Sequence, residues 1–145
     1  MRLVPNRWMT NGDADMLVTL VTAGLCGLLY FGLSWRVVQV RQSAKVSLGD
    51  GGDEQLLQRI RAHANFAEYV PICLILLALV EDSYEVAPVG LWVAGFLLVG
   101  VRVFHAVGMS RNSANPFRLV GALGTWIVMV ALSLWALETA VVLYG

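Results

Sequence analysis

Two stretches of the chain, Met16 to Trp35 and Leu119 to Leu137, contain no Asp, Glu, Lys, Arg or His. Each is close to the ~20 residues a helix needs to cross a ~30 Å hydrocarbon core, so each is expected to span a membrane. Two further spans are legible although charge interrupts them. Tyr69 to Val80 is uncharged and extends backward through Glu68, Asn65 and Arg61, with only Pro71 as a helix breaker and possible point of kinking, which predicts a helix from about Asp53 to Val80. Val86 to Val101 is also uncharged and continues past Arg102 and His105 to about Ser110, where Asn112, Ser113, Asn115 and Pro116 stop it. The expected architecture is all-α: an integral membrane four-helix bundle in a single domain, residues 1–145, with spans at about 14–38, 60–80, 86–108 and 117–142. A hydrophobic content of 58% against 14% charge fits that reading and excludes an ordinary soluble domain.

Net charge is zero, but eight of the ten basic residues lie between Arg36 and Arg118 and none lies in the turn after the second span, which holds Glu81, Asp82 and Glu85. The positive-inside rule therefore places the first and third connections in the cytoplasm, with the termini and the acidic turn opposite. The first span is too long for a signal-peptide core and lacks a small-residue cleavage site before Arg36, so it reads as a retained helix. In a prokaryote such a multi-pass chain belongs in the inner membrane. Cys26 and Cys73 fall within spans and are expected to be packing residues. Neither a disulfide framework nor a metal site is expected, and no nucleic-acid partner is.

The long polar connection, Gln39 to about Gly52, ends in Gly49-Asp50-Gly51-Gly52-Asp53. These residues predict turns, with Asp53 as N-cap and Glu54 as first-turn acid of the second helix. With no preceding strand and no lysine in place, the glycines read as a hinge rather than a phosphate-cradling loop.

Arg61, Asn65 and Glu68 follow at i, i+4 and i+7 and so form one polar stripe along the second helix. Glu68 lies 12 residues before Val80, about 18 Å from that end of the helix and inside the membrane. An ionised carboxylate there needs protein partners, either in a binding site or in an Arg61–Glu68 network that fixes helix packing. On the third helix Arg102 and His105 are i, i+3 at the same depth and repeat the polar theme of the second, with snorkelling towards the interface as the alternative for Arg102. Asn115-Pro116-Phe117-Arg118 reads as N-cap, N1, N2 and N3 of the fourth helix, where an anion would meet free N–H groups, the helix dipole and a guanidinium. With Arg41 at the foot of the first helix, these residues describe a basic cavity holding one carboxylate, suited to a small, multiply charged ligand.

The run Arg61-Ala62-His63-Ala64-Asn65-Phe66-Ala67-Glu68-Tyr69-Val70-Pro71 resembles the second-helix signature of the MAPEG family, the membrane-associated proteins of eicosanoid and glutathione metabolism. The resemblance extends to Arg102-Val103-Phe104-His105 and to the Pro-x-Arg that opens the fourth helix. It implies a homotrimer with glutathione held between neighbouring protomers near the cytoplasmic face. By position it implies glutathione contacts for Arg41, Arg61, His63, Asn65, Glu68, Tyr69 and His105, and a thiolate-stabilising role for Arg118. His63 stands about 200° around the helix from Arg61, so a ligand touching both has to lie between subunits. The sequence departs from the prostaglandin-type members at Leu119 and Met109, where serine and tyrosine are usual, which argues against isomerase-type chemistry, and Gln58 stands where the family has an arginine.

The resulting expectation is a glutathione transferase, or a peroxidase using glutathione, that acts on hydrophobic electrophiles or hydroperoxides drawn from the bilayer. A non-catalytic lipid- or glutathione-binding scaffold of the same fold is its main rival. A haem or quinone protein using His63 and His105, and a small exporter using Glu68, are weaker ones. The logic is thiolate activation: a thiol of pKa about 8.5 is only a few per cent ionised at neutral pH, and each unit of depression corresponds to ~1.36 kcal/mol.

Overall fold

The computed structural model describes residues 16–110 and 115–145, which form four helices: α1 Leu17–Ala44, α2 Glu54–Asp82, α3 Val89–Gly108 and α4 Pro116–Tyr144. All four are long and apolar enough to cross a membrane. The outward surface is what lipid requires: Leu20, Leu28 and Phe31 on α1, Ile75 and Leu79 on α2, Ile127 and Leu134 on α4 are all exposed. Backbone polar groups are satisfied within each helix, so apolar side chains can meet hydrocarbon directly.

The core is a set of stripes. On α2 it runs Ala62, Phe66, Val70, Cys73, Leu77 and Val80, in steps of four or three residues, the spacing that keeps one helical face turned inward. Cys26 of α1 and Cys73 are free and buried among these residues, in the packing role expected of them. Pro71 lies inside α2, which runs unbroken from Glu54 to Asp82.

Three glycines bring α3 and α4 together. A Cβ on Gly121 would meet His105 backbone, one on Gly108 would meet the Arg118 backbone, and one on Gly124 would meet Val101. Small residues substitute here for the hydrophobic drive that lipid removes, allowing close helix–helix contact. The consequence is local: they hold the start of α4 against the end of α3.

Several boundaries differ from expectation: α3 begins at Val89, three residues after position 86, with Pro88 at its N-cap, and α4 runs on to Tyr144. Helix α1 continues six residues beyond the anticipated span, through Gln39 to Ala44, and closes with Lys45 at φ 56°, whose N–H and that of Val46 return to the last turn. Only then does the chain turn through Gly49, Gly51 and Gly52, all at positive φ, to Asp53, whose side chain accepts from Leu56 N as the α2 N-cap. At the other end, Glu81 and Asp82 are not turn residues. They complete α2, and Glu81 is 2% exposed, its two oxygens accepting from Val18 N and Thr19 N at 2.8 Å each. Met16 offers α1 no side-chain cap, so Glu81 supplies one from 63 positions along the chain.

Candidate functional site

The start of α4 is built as the sequence requires. Asn115 Oδ1 accepts from Arg118 N at 3.1 Å, Pro116 occupies the first turn, and Asn115 Nδ2 donates to Gly108 O at 2.9 Å. The N-cap side chain thereby ties α4 to the end of α3 across residues 111–114, which lie outside the described residues and include Asn112 and Ser113 of the anticipated stop. Arg118 projects from this turn and is exposed.

Beside it lies a cleft of about 230 Å³ lined by Leu57, Gln58, Arg61, Asn65, His105, Met109 and Arg118. Four of the anticipated site residues, Arg61, Asn65, His105 and Arg118, thus meet from three helices. His105 is almost fully buried, and its Nδ1 has no hydrogen-bond partner among the described residues. The cleft is smaller than the ~300–1,000 Å³ usual for a small-molecule site and opens outward.

Of the two alternatives for Arg102, snorkelling is ruled out: the residue is 1% exposed, turned into the bundle, with its guanidinium 5.2 Å from the Phe66 ring centre. Its Nη1 donates to Asn65 Oδ1 at 3.0 Å and reaches Thr125 Oγ1 at 3.4 Å. The signal was available, because Leu91, Leu98, Arg102 and His105 share the buried stripe of α3. A guanidinium has no acceptor, so the Asn65 amide must present oxygen to Arg102, which leaves its NH2 group as a donor for the cleft.

The remaining candidates stand elsewhere in the bundle. Arg41 Nη1 donates to Gly49 O at 2.8 Å, holding the α1–α2 connection rather than lining the cleft. His63 faces α1, where it shares a 3.2 Å hydrogen bond with Ser34 Oγ and stacks on Tyr30 at 4.4 Å between ring centres. Tyr69 is half-buried and outside the cleft lining. Glu68 is exposed, and among the described residues it makes no hydrogen bond or ion pair, so an internal Arg61–Glu68 network is not formed. A second cleft, of about 270 Å³ and almost wholly apolar, runs between α1 and α2 past Cys26, Gly27, Tyr30, Phe66 and Pro71.

Comparison with known proteins matches residues 19–137 to the MAPEG family. Two relatives, the inner membrane protein YecN of Escherichia coli K12 and its counterpart in strain CFT073, are each 32% identical over 123 residues, covering 82% of this chain and 92% of theirs. With four membrane-spanning helices and an inner-membrane relative, the chain is a multi-pass protein of the bacterial inner membrane. The family match covers most of the chain, including the Arg61–Pro71 signature and the α3–α4 cleft, and the chain belongs to the MAPEG family.

Proposed function

We propose that the protein is a membrane-bound glutathione transferase, or a peroxidase using glutathione, that works as a homotrimer on hydrophobic electrophiles or hydroperoxides from the bilayer. The observation that carries this reading is the cleft in which Arg61, Asn65 and Arg118 converge with no carboxylate among its lining residues. Glutathione is a flexible tripeptide with two carboxylates and a thiol, and these donors match its anionic groups. Arg61 and the Asn65 amide are assigned to the carboxylates. Arg118, on the first turn of α4, is assigned to the sulfur, where its charge and the helix dipole favour the thiolate. In conjugation that thiolate forms the S–C bond as the leaving group departs with its electron pair. The apolar cleft along α1 and α2 offers a lipid-accessible surface for the second substrate.

Two features support shared sites. Glu68 lies within the membrane span and is exposed on the protomer, and such a carboxylate is stable only when another protein surface covers it. His63 and Arg41 face away from the cleft, so only a neighbouring protomer brings them to the same ligand. The test is calorimetric titration of detergent-solubilised protein with glutathione, beside mass measurement of the particle and conjugation of a nitroaryl halide. Three chains per particle, saturable binding and glutathione-dependent conjugation are expected. A monodisperse monomer overturns the shared site, and binding without conjugation moves the protein to the scaffold reading.

A further inference from the structure

A second basic cluster lies on the other side of α2 from the cleft. Arg36 of α1 and Arg59 of α2 both donate to one oxygen, Ser110 Oγ at the end of α3, at 2.5 and 2.7 Å. The hydroxyl itself donates to Ala106 O at 2.9 Å, so its proton is committed and both its lone pairs face guanidinium groups. Two like charges are thereby held within about 5 Å of each other by an uncharged group, an arrangement Coulomb repulsion opposes. Among the described residues neither guanidinium meets a carboxylate. Residues 111–114 contain no acid, and Asp13 and Asp15 precede the far end of α1. Both arginines are half-buried, held in place yet reachable.

Their depth identifies what meets them. The α1 N-terminus and the α2 C-terminus are joined through Glu81, which marks one level of the bundle. Arg36 lies 19 residues beyond Leu17 and Arg59 lies 22 residues before Glu81, so their backbones stand about 28 and 33 Å from that level at ~1.5 Å per residue. One hydrocarbon thickness is ~30 Å, which puts both guanidiniums at the phosphates of the opposite leaflet.

We propose that Arg36 and Arg59, brought together by Ser110 Oγ, form a phosphate site that holds the headgroup of an anionic phospholipid. Each guanidinium keeps several N–H donors beyond the one spent on Ser110, enough for a phosphodiester to bridge the pair and neutralise it. The site is separate from the glutathione cleft, whose lining includes none of the three residues. Arg59 and Arg61 stand two residues apart, about 200° around α2, and so serve opposite faces. The proposal holds whether or not glutathione is the ligand next door.

The test titrates full-length, detergent-solubilised protein with phosphatidylglycerol, with phosphatidylcholine and, as a soluble phosphate, with glycerol phosphate, reading bound adducts by native mass spectrometry. Phosphatidylglycerol is expected to bind at least tenfold more tightly than phosphatidylcholine. Arg36→Gln and Arg59→Gln are expected to lose about fivefold each and the double variant on the order of thirtyfold, the effect of roughly one interfacial charge apiece. Ser110→Ala, which keeps both arginines, stays within a few fold, and Lys45→Gln, an exposed cation elsewhere on the same side, within twofold. No preference for phosphatidylglycerol in the parent protein overturns the proposal even where a variant fails to fold. So does an equal loss in Lys45→Gln, which marks diffuse attraction. Glycerol phosphate binding as tightly as the lipid keeps the phosphate site and overturns its assignment to a headgroup.

Discussion

Gly121→Ala probes the contact on which the cleft depends. The added methyl would stand 2.5 Å from His105 N, 2.5 Å from its Cβ and 2.6 Å from its Cα, two of them backbone atoms of α3 that cannot rotate away. Ordinary carbon contacts lie at about 3.5–4.0 Å, so α4 must withdraw by roughly 1 Å. Overpacking of this kind costs about 1–3 kcal/mol, against a gain of up to ~1 kcal/mol from replacing glycine inside a helix. The net expectation is a loss of about 1–2 kcal/mol, read as earlier thermal unfolding in detergent by circular dichroism. Arg118 lies three residues before Gly121 on the same helical face and moves with it, and a 1 Å misplacement of that kind can cost on the order of a hundredfold in rate. Two substitutions calibrate the result. At Gly124 the methyl meets the Val101 side chain, which can shift, and the cost should be smaller; at Gly100 nothing lies within 4 Å and the change should be neutral or stabilising. If Gly121→Ala unfolds no earlier than the parent and conjugates glutathione as fast, the argument that helix proximity sets the cleft is wrong.

Three other outcomes are expected. Glu81→Ala removes two charge-assisted hydrogen bonds to the α1 N-terminus and should destabilise the protein by about 3–5 kcal/mol, with Glu81→Gln losing roughly half; an unchanged unfolding midpoint for Glu81→Ala would show that water or lipid caps α1 equally well. Glu68→Gln should weaken glutathione binding by about 1.5–3 kcal/mol in calorimetric titration, and unchanged affinity would assign Glu68 to subunit packing alone. Arg118→Ala should leave the glutathione dissociation constant within a few fold while raising the bound thiol's pKa by about one unit or more, so that thiolate absorbance develops only at higher pH. Full conjugating activity with an unshifted titration would remove Arg118 from the chemistry.

How far the sequence could be read follows from the range of each interaction. Uncharged runs and caps are local, and Asp53, Asn115 and Pro116 act within their own first turns as their residue types predict. The polar stripe of α2 was equally legible, because Arg61 and Asn65 share a face by spacing alone and both line the cleft. What spacing cannot express is which remote element a polar group will meet. Glu81 reads as a loop acid until α1 is found to end beside it, 63 positions away. Arg102 reads as a snorkelling cation if only its depth is considered, and as an inward one once the Leu91–Leu98–His105 stripe of α3 is traced through it. The extra length of α1 was obscured by polarity: Gln39, Arg41 and Gln42 are good helix formers, but beyond the hydrocarbon boundary they no longer carry an apolar signal.

The basic end of the bundle has a further logic in its surplus of donors. Arg36, Arg59, Arg61, Arg102 and Arg118 come from all four helices, yet among the described residues none is paired with a carboxylate. Arg102 is accommodated by Asn65, Thr125 and the Phe66 ring, neutral partners that leave its charge in place beneath the cleft. A buried or half-buried cation left this way raises the affinity of its surroundings for any anion that can reach it, because the described residues supply no internal competitor. Glu68, the one acid in this half of α2's membrane-embedded stretch, is turned outward from the protomer and does not compete. On the two readings proposed above, the bundle takes its anions from outside the chain, and the two-residue step from Arg59 to Arg61 would divide them, one face of α2 serving a headgroup and the other a peptide-sized anion in the cleft.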